Sequence, residues 1–358
     1  MSIQENKTMK TISISGSFTD FFSRNYIYID KTETIYKLLK MQKKVFLSRP
    51  RRFGKSLTLD TIGTLFEKGV DPYFKGTWIY DKWTEPTYPV LKISFLDYSV
   101  TDIDEFKRRF IKDISTFAKK YNIEGYSEDI ETDGSLASLL YTLKEHNQSI
   151  VILIDEYDCQ LVANINNPIL YEKFREIIRR IYAIFKTYNE AINFLAVTGV
   201  TRLKDATIFS VGSDIVDISN KSAYSQLIGF TREEIKTFYF DYLKLAAAYN
   251  NNVAVDRVTD TQIDAMLDKI AYNYDGYCFD EDYEKKVFST WSVNNFLQSI
   301  VEKEKVHFGD YWYDNGGLPS ILAKNIEKSK INLFDYLNKE LKNAQINDSF
   351  ASCLSCSI

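Results

Sequence analysis

Only two histidines, His146 and His307, occur in the 358 residues. That scarcity argues against a histidine-based nucleophilic triad and excludes a His-rich metal site. Cys159, Cys278, Cys353 and Cys356 are too few and too scattered for a disulfide framework. Cys353 and Cys356 form a CxxC pair at the extreme tail with no second ligand pair nearby, which reads as a thiol-bearing end rather than a zinc or redox centre. No apolar run approaches the roughly 20 residues that span a bilayer. The N-terminus lacks the basic-then-apolar order of a signal peptide. The expected compartment is therefore the cytoplasm, with no membrane partner. A net charge of -4 disfavours a globally basic nucleic-acid binder and leaves local basic patches open. Proline and glycine are scarce at 6 and 14, against 25 tyrosines and 24 phenylalanines, which points to a rigid, well-packed body with few long linkers.

The remainder is ordinary for a globular protein of two or three domains, with 45% hydrophobic and 26% charged residues. Residues 26–29 alternate like a short strand. Asp30 with Glu33 makes a capping-box-like start for a helix to about Met41. Val45-Phe46-Leu47 is a short apolar strand that runs into Arg49-Pro50-Arg51-Arg52-Phe53-Gly54-Lys55-Ser56. Leu57, Leu59, Ile62, Leu65 and Phe66 then recur at helical spacing. Further strands are expected over 88–95, 150–154 and 194–197, with a weaker one over 214–218. Helices over about 104–120, 136–146 and 171–188 separate them. The five aliphatic residues of 150–154 mark a strand covered on both faces. This alternation predicts an α/β fold with a parallel sheet and right-handed crossovers. From Thr231 helical patterns dominate, over 232–249 and 261–272, followed by the turn Tyr274-Asp275-Gly276-Tyr277. A boundary is placed near Phe230.

A phosphate-binding loop needs a glycine so that the backbone can wrap phosphate oxygens, a lysine that reaches the β- and γ-phosphates, and a hydroxyl for Mg²⁺. Gly54, Lys55 and Ser56 supply them in that order between a strand and a helix, whose N-terminal N–H groups attract anions. The pattern departs at the first glycine of GxxxxGK[ST], where Arg49 stands. Asp155 and Glu156, at the end of an aliphatic strand, form a second signal. Asp155 is placed to hold Mg²⁺ and Glu156 to polarise the attacking water. A plain strand followed by a polar turn is the bland alternative. Thr198, ending the next strand, and Arg202 are candidates for sensing the γ-phosphate or the lytic water, with a simple strand-end turn as the alternative for Thr198. Arg49, Arg51 and Arg52 crowd the anion site, and whether they clamp phosphate, a partner or a neighbouring lid stays open.

The stretch FLSRPRRFGKSLTLDTIGTLF resembles the hallmark of the AAA-ATPase-like family of P-loop proteins, related to STAND ATPases. The resemblance continues through YIYIDKT, YPVLKISF, ILIDEYD, VTGVTRL, SAYSQLIGFTREEI, YDGYCF and WSVNNFL…YWYDNGGLPSIL, and so covers most of the chain. It makes Arg49 part of the family's own pattern. It implies a RecA/ASCE-like P-loop NTPase core, with parallel strands and helices on both faces, followed by a smaller, mostly helical lid domain. The expected organisation is an N-terminal strand and helix extension over 1–44, the ATPase core over 45–230, a winged-helix-like lid over 231–322, and a C-terminal helix and tail over 323–358. The implied ligand is ATP and the implied cofactor Mg²⁺. The cradle would be Arg49, Pro50, Arg51, Arg52, Phe53, Gly54, Lys55, Ser56 and Leu57, the metal side Ser56 and Asp155, and the reacting side Lys55, Glu156, Thr198 and Arg202. The expected activity is slow, Mg²⁺-dependent ATP hydrolysis serving as a conformational switch. The alternatives are a non-hydrolysing scaffold for a protein partner and the ATPase module of a nucleic-acid-processing system. Oligomerisation and the source of any arginine finger stay open. Family members commonly continue into a PD-(D/E)xK nuclease-like domain; the chain ends before one would fit, so no nuclease chemistry is carried over to these residues.

Overall fold

The structure, a computed structural model, describes residues 9–14, 16–201, 214–309 and 311. Arg202, Cys353, Cys356, most of the YWYDNGGLPSIL motif and the 323–358 segment lie outside the described residues.

Five parallel strands form the central sheet: β1 (Lys44–Ser48), β2 (Val90–Ser94), β3 (Ile150–Asp155), β4 (Ile192–Gly199) and β5 (Val216–Asp217), in the order β2-β3-β4-β1-β5. Side chains alternate across a strand, and β1, β3 and β4 are apolar at both parities and bury both faces. Phe46, Leu91, Ile152, Ile154, Leu195 and Val197 face one way. They pack under α4 (Ile103–Lys120), α5 (Thr132–Glu145) and α7 (Pro168–Thr187). Val45, Leu47, Val151, Leu153, Phe194 and Ala196 face the other way. They meet α1 (Phe18–Ser23), α2 (Thr32–Met41) and α3 (Lys55–Lys68). The short α6 (Cys159–Ala163) follows β3. This is the expected α/β P-loop core with helices on both faces.

Register decides where the chemistry falls. Ser48 pairs with Gly199 and Leu47 with Thr198, while Ile154 pairs with Val197, so the C-terminal ends of β1, β4 and β3 are level. Because β4 lies between β1 and β3, the strand that ends in Thr198 separates the Gly-Lys-Ser strand from the Asp155 strand. Ligands of open α/β sheets bind at this carboxyl edge.

The helical part contains α8 (Arg232–Phe238), α9 (Phe240–Asn251), α10 (Asp260–Tyr274) and α11 (Thr290–Lys303). An antiparallel hairpin of β6 (Tyr277–Cys278) and β7 (Lys286–Val287) lies between α10 and α11. Its core joins Ile235, Leu243, Leu267, Val293 and Phe296 with Ile12, Ile27 and Ile29 from the N-terminal segment. Phe18, Ile35 and Leu38 of the same segment enter the sheet core. The N-terminal segment therefore straps the two parts together, and Lys31 reinforces it by donating to Glu234 at 2.6 Å and to the Gln226 carbonyl at 2.9 Å.

Several local expectations need correction. The alternating residues 26–29 form no strand; Tyr26 makes only an isolated bridge to Thr11, because the apolar side chains are taken up by helices. Asp30 forms no capping box with Glu33. Its carboxylate accepts from the Thr32 N–H and hydroxyl and from the Trp78 N–H, and Lys31 occupies the cap position. The helix expected over 171–188 begins at Pro168, capped by the Asn167 side chain; Asn followed by Pro is the usual start signal. The single helix expected over 232–249 breaks at Tyr239, a buried residue whose hydroxyl donates to Asn294 at 2.6 Å.

Candidate functional site at the carboxyl edge of the sheet

Between β1 and α3 the chain makes a tight loop. Gly54 adopts φ 102, a left-handed conformation that glycine reaches without a Cβ penalty, and a Cβ built there would meet nothing within 4 Å. The loop can therefore turn its backbone towards an open space in front of the α3 N-terminus. Arg52 is also left-handed, at φ 65.

Lys55, 3% exposed, lies inside this loop. Its Nζ donates to the carbonyls of Arg49 at 3.1 Å and Pro50 at 3.2 Å, and stands 3.2 Å from Glu156 Oε1. Glu156 adopts φ 52 immediately after β3. Beside this pair, Asp155 gathers two hydroxyls: Ser56 donates to Oδ2 at 2.5 Å and Thr198 donates to Oδ1. The register of the three strands thus brings together Lys55, Ser56, Asp155, Glu156 and Thr198, five of the residues singled out from the sequence.

The remaining loop residues point elsewhere. Arg49 is 1% exposed; its Nη1 donates to the carbonyls of Ser48 at 2.8 Å and Ser219 at 2.6 Å, and its guanidinium lies 4.0 Å from the Phe279 ring centroid. Arg52 places its guanidinium 3.9 Å from the Trp291 ring centroid, while its carbonyl accepts from the Thr290 hydroxyl at 2.9 Å. Phe53, 1% exposed, packs edge-on against Tyr277 and Phe279. Arg51 is exposed, Pro50 and Leu57 are partly buried, and Ser56 opens to solvent. Of the three arginines, two face the helical part and one faces outward.

The sequence alone did not single out several contributors. Ser219 accepts from the Ser48 N–H at 2.9 Å and braces the end of β1. Thr290 and Trp291 receive the loop from the far side, together with Phe279 of the YDGYCF turn already marked by the family resemblance. Tyr157 and the buried Asp158 grip the turn after β4. The motifs ILIDEYD, YDGYCF and WSVNNFL contain Tyr157, Asp158, Phe279 and Trp291, while Ser219 and Thr290 lie outside them, and nothing in the linear order says which of these side chains face the loop.

Among the described residues no group of three or more His, Cys, Asp or Glu could hold a metal ion. The Ser56 hydroxyl and the Asp155 carboxylate are hard oxygen donors with solvent beside them. That set suits Mg²⁺, which usually takes one or two protein oxygens and fills its octahedron with water and phosphate. The residues present fit this cation. No described helix is long and apolar enough to cross a membrane.

A glycine-turned loop between strand and helix, at the carboxyl edge of a sheet ordered β2-β3-β4-β1-β5, defines a P-loop nucleotide-binding fold. The chain belongs to the family described as Predicted AAA-ATPase, whose model matches residues 11–209. A curated relative, "Uncharacterized protein in vnfD 5'region" of Azotobacter chroococcum mcd 1, is 28% identical over 294 residues, 82% of this chain and 51% of the relative. The chain thus spans about half the length of the curated relative it matches. The crystal structure of Cdc6p from Pyrobaculum aerophilum matches 81% of this chain and 67% of that one, at 13% identity and a TM-score of 0.34. That likeness is too loose to bear on the site.

Proposed function

We propose that the protein binds ATP with Mg²⁺ and hydrolyses it slowly, and that its nucleotide state sets the relation between the sheet core and the helical part. The observation that carries the reading is Asp155, whose carboxylate accepts from both Ser56 and Thr198 beside the Lys55–Glu156 pair.

Each residue has a physical task. The Gly54 turn and the α3 N-terminus offer N–H groups to phosphate oxygens. Lys55 exchanges Glu156 for the β- and γ-phosphates. Glu156, released, orients a water for attack, and Thr198 monitors the far end of the phosphate chain from its place on Asp155. Mg²⁺, held from Ser56 and Asp155, would supply charge neutralisation at the phosphates. Arg49, Arg52 and Phe53 connect the cradle to Phe279, Trp291 and Tyr277, so a change in loop shape is felt in the helical part.

Calorimetry of Mg-ATP binding to the parent and to Lys55→Ala tests the ligand. Loss of a charge-assisted contact of about 1.5–3 kcal/mol weakens binding by at least about tenfold. Equal binding by the two proteins would sink the P-loop reading. Single-turnover cleavage then separates an ATPase from a scaffold: binding by the parent without cleavage leaves only a nucleotide-dependent scaffold for a protein partner.

A further inference from the structure

Asp158 lies three residues past Asp155 and occupies the cap position of α6, yet it makes no side-chain bond to that helix. An aspartate at such a position ordinarily accepts from the first turn of its own helix. Here the carboxylate is diverted across the sheet edge to the turn that follows β4. It accepts from the Val200 N–H at 3.1 and 3.2 Å, from the Thr201 N–H at 2.6 Å and from the Thr201 hydroxyl at 2.5 Å. The residue is 1% exposed, so the bonds form away from water, where an unmet acceptor is costly.

Tyr157 grips the same turn. Its N–H donates to the Thr198 carbonyl at 3.0 Å and its hydroxyl to the Thr201 carbonyl at 3.1 Å. The fit is close: a Cβ at Gly199 would stand 2.5 Å from the Tyr157 ring and 2.8 Å from Asp158 Oδ1. The turn groups held by these side chains lie within three positions of Thr198, whose hydroxyl donates to Asp155. The hydrogen bonds that the Asp158 carboxylate accepts come from Val200 and Thr201 of the 198–201 turn.

We propose that Asp158 is a positioning residue for the nucleotide site: by clamping the 198–201 turn it holds the Thr198 hydroxyl on the Asp155 carboxylate, and it acts on turnover only through Thr198. The inference rests on the ATPase reading above. A buried carboxylate that merely stabilises the fold would lower ATP binding and turnover together, in step with the folded fraction. A positioning residue leaves the phosphate cradle intact and slows cleavage.

The test uses the full chain and the variants Asp158→Asn, Thr198→Val, their double, and Thr201→Val. The last keeps the carboxylate in place and removes only one donor, so it guards against a misfolded Asp158→Asn. Mg-ATP affinity, single-turnover rate and melting temperature are read for each. Asp158→Asn is expected to slow cleavage by about 10–100-fold, the cost of a misplacement near 1 Å, with affinity within about twofold of the parent. Thr201→Val moves the rate the same way by less. The double variant is expected to be no slower than Thr198→Val, because both act on one contact. Cleavage by Asp158→Asn at the parent rate would overturn the proposal, as would two single effects that multiply in the double variant. A parent that binds no ATP removes the ATPase reading and this inference with it. A parent that cleaves ATP no faster than folded Asp158→Asn removes the inference alone.

Discussion

Replacing Glu156 with glutamine should tighten ATP binding while it stops hydrolysis. Glu156 pairs with Lys55 at 3.2 Å, with side chains 15% and 3% exposed. At that distance two unit charges attract by about 5 kcal/mol in a medium of effective dielectric ~20 and by about 1 kcal/mol in water. Desolvating the lysine offsets much of this. Lys55 also keeps two carbonyl acceptors, from Arg49 and Pro50, whatever happens at position 156. The net contribution therefore falls at the low end of the range for charged hydrogen bonds, about 1.5 kcal/mol. The left-handed backbone at position 156, φ 52, is the same for glutamate and glutamine, so its strain cancels in the comparison.

Phosphate must take Lys55 from Glu156 before it can bind. Removing the competing carboxylate returns that ~1.5 kcal/mol to the complex, an affinity gain of about tenfold. The ligand-free variant should melt a few degrees lower, since about 1 kcal/mol shifts a domain of 150–250 residues by roughly 2–4 °C. Saturating Mg-ATP should erase that difference. Calorimetry at fixed Mg²⁺, with melting curves in its presence and absence, reads all three quantities. Binding no tighter than the parent would refute the idea that the ion pair competes with nucleotide. Cleavage at the parent rate would refute the assignment of Glu156 to the water.

Two further changes probe the surroundings. Gly199→Ala drives a methyl against the Tyr157 ring, which is fully buried and packed edge-on against Phe46; overpacking of this kind costs about 1–3 kcal/mol, and an unchanged urea midpoint would contradict the close fit. Trp291 should report on the loop, because the Arg52 guanidinium lies against its indole. Its emission is expected to change on Mg-ATP addition, and the change should vanish in Trp291→Phe and shrink in Arg52→Ala. A change that persists in Trp291→Phe belongs to another tryptophan and would disconnect α11 from the loop.

The sheet was legible because its three central strands are apolar on both faces and end in punctuating polar residues: Ser48 before the basic loop, Asp155-Glu156 and Thr198-Gly199. Lys55, Ser56, Asp155, Glu156 and Thr198 could be named in advance, since a parallel sheet gathers strand ends at one edge. Directions of individual side chains could not. The part played by Asp158 becomes visible only when the neighbouring turn is seen to offer it three donors. Residues 26–29 carry a strand-like alternation, but among the described residues they pair only at the isolated Thr11–Tyr26 bridge, and a helical core absorbs Ile27 and Ile29 instead. The break at Tyr239 has no glycine or proline to announce it, and the Asn294 side chain that accepts from its buried hydroxyl is distant in the chain.

The arginine at position 49 is the point where pattern and structure differ most in meaning. A glycine there would leave the start of the loop with no side chain. Arg49 instead runs backwards into the protein, to the Ser219 carbonyl and the Phe279 ring, while Arg52 reaches Trp291 from the other end of the same loop. The loop that would hold phosphate is therefore also the loop that holds the helical part. Cation–π contacts contribute about 0.5–2 kcal/mol each, more as they are desolvated. Losing both on a change of loop shape amounts to about 1–4 kcal/mol, which spans the usual coupling of about 1–3 kcal/mol between two sites. On the proposed function no separate relay is needed to carry nucleotide state outward, because binding and sensing share the residues from Arg49 to Phe53.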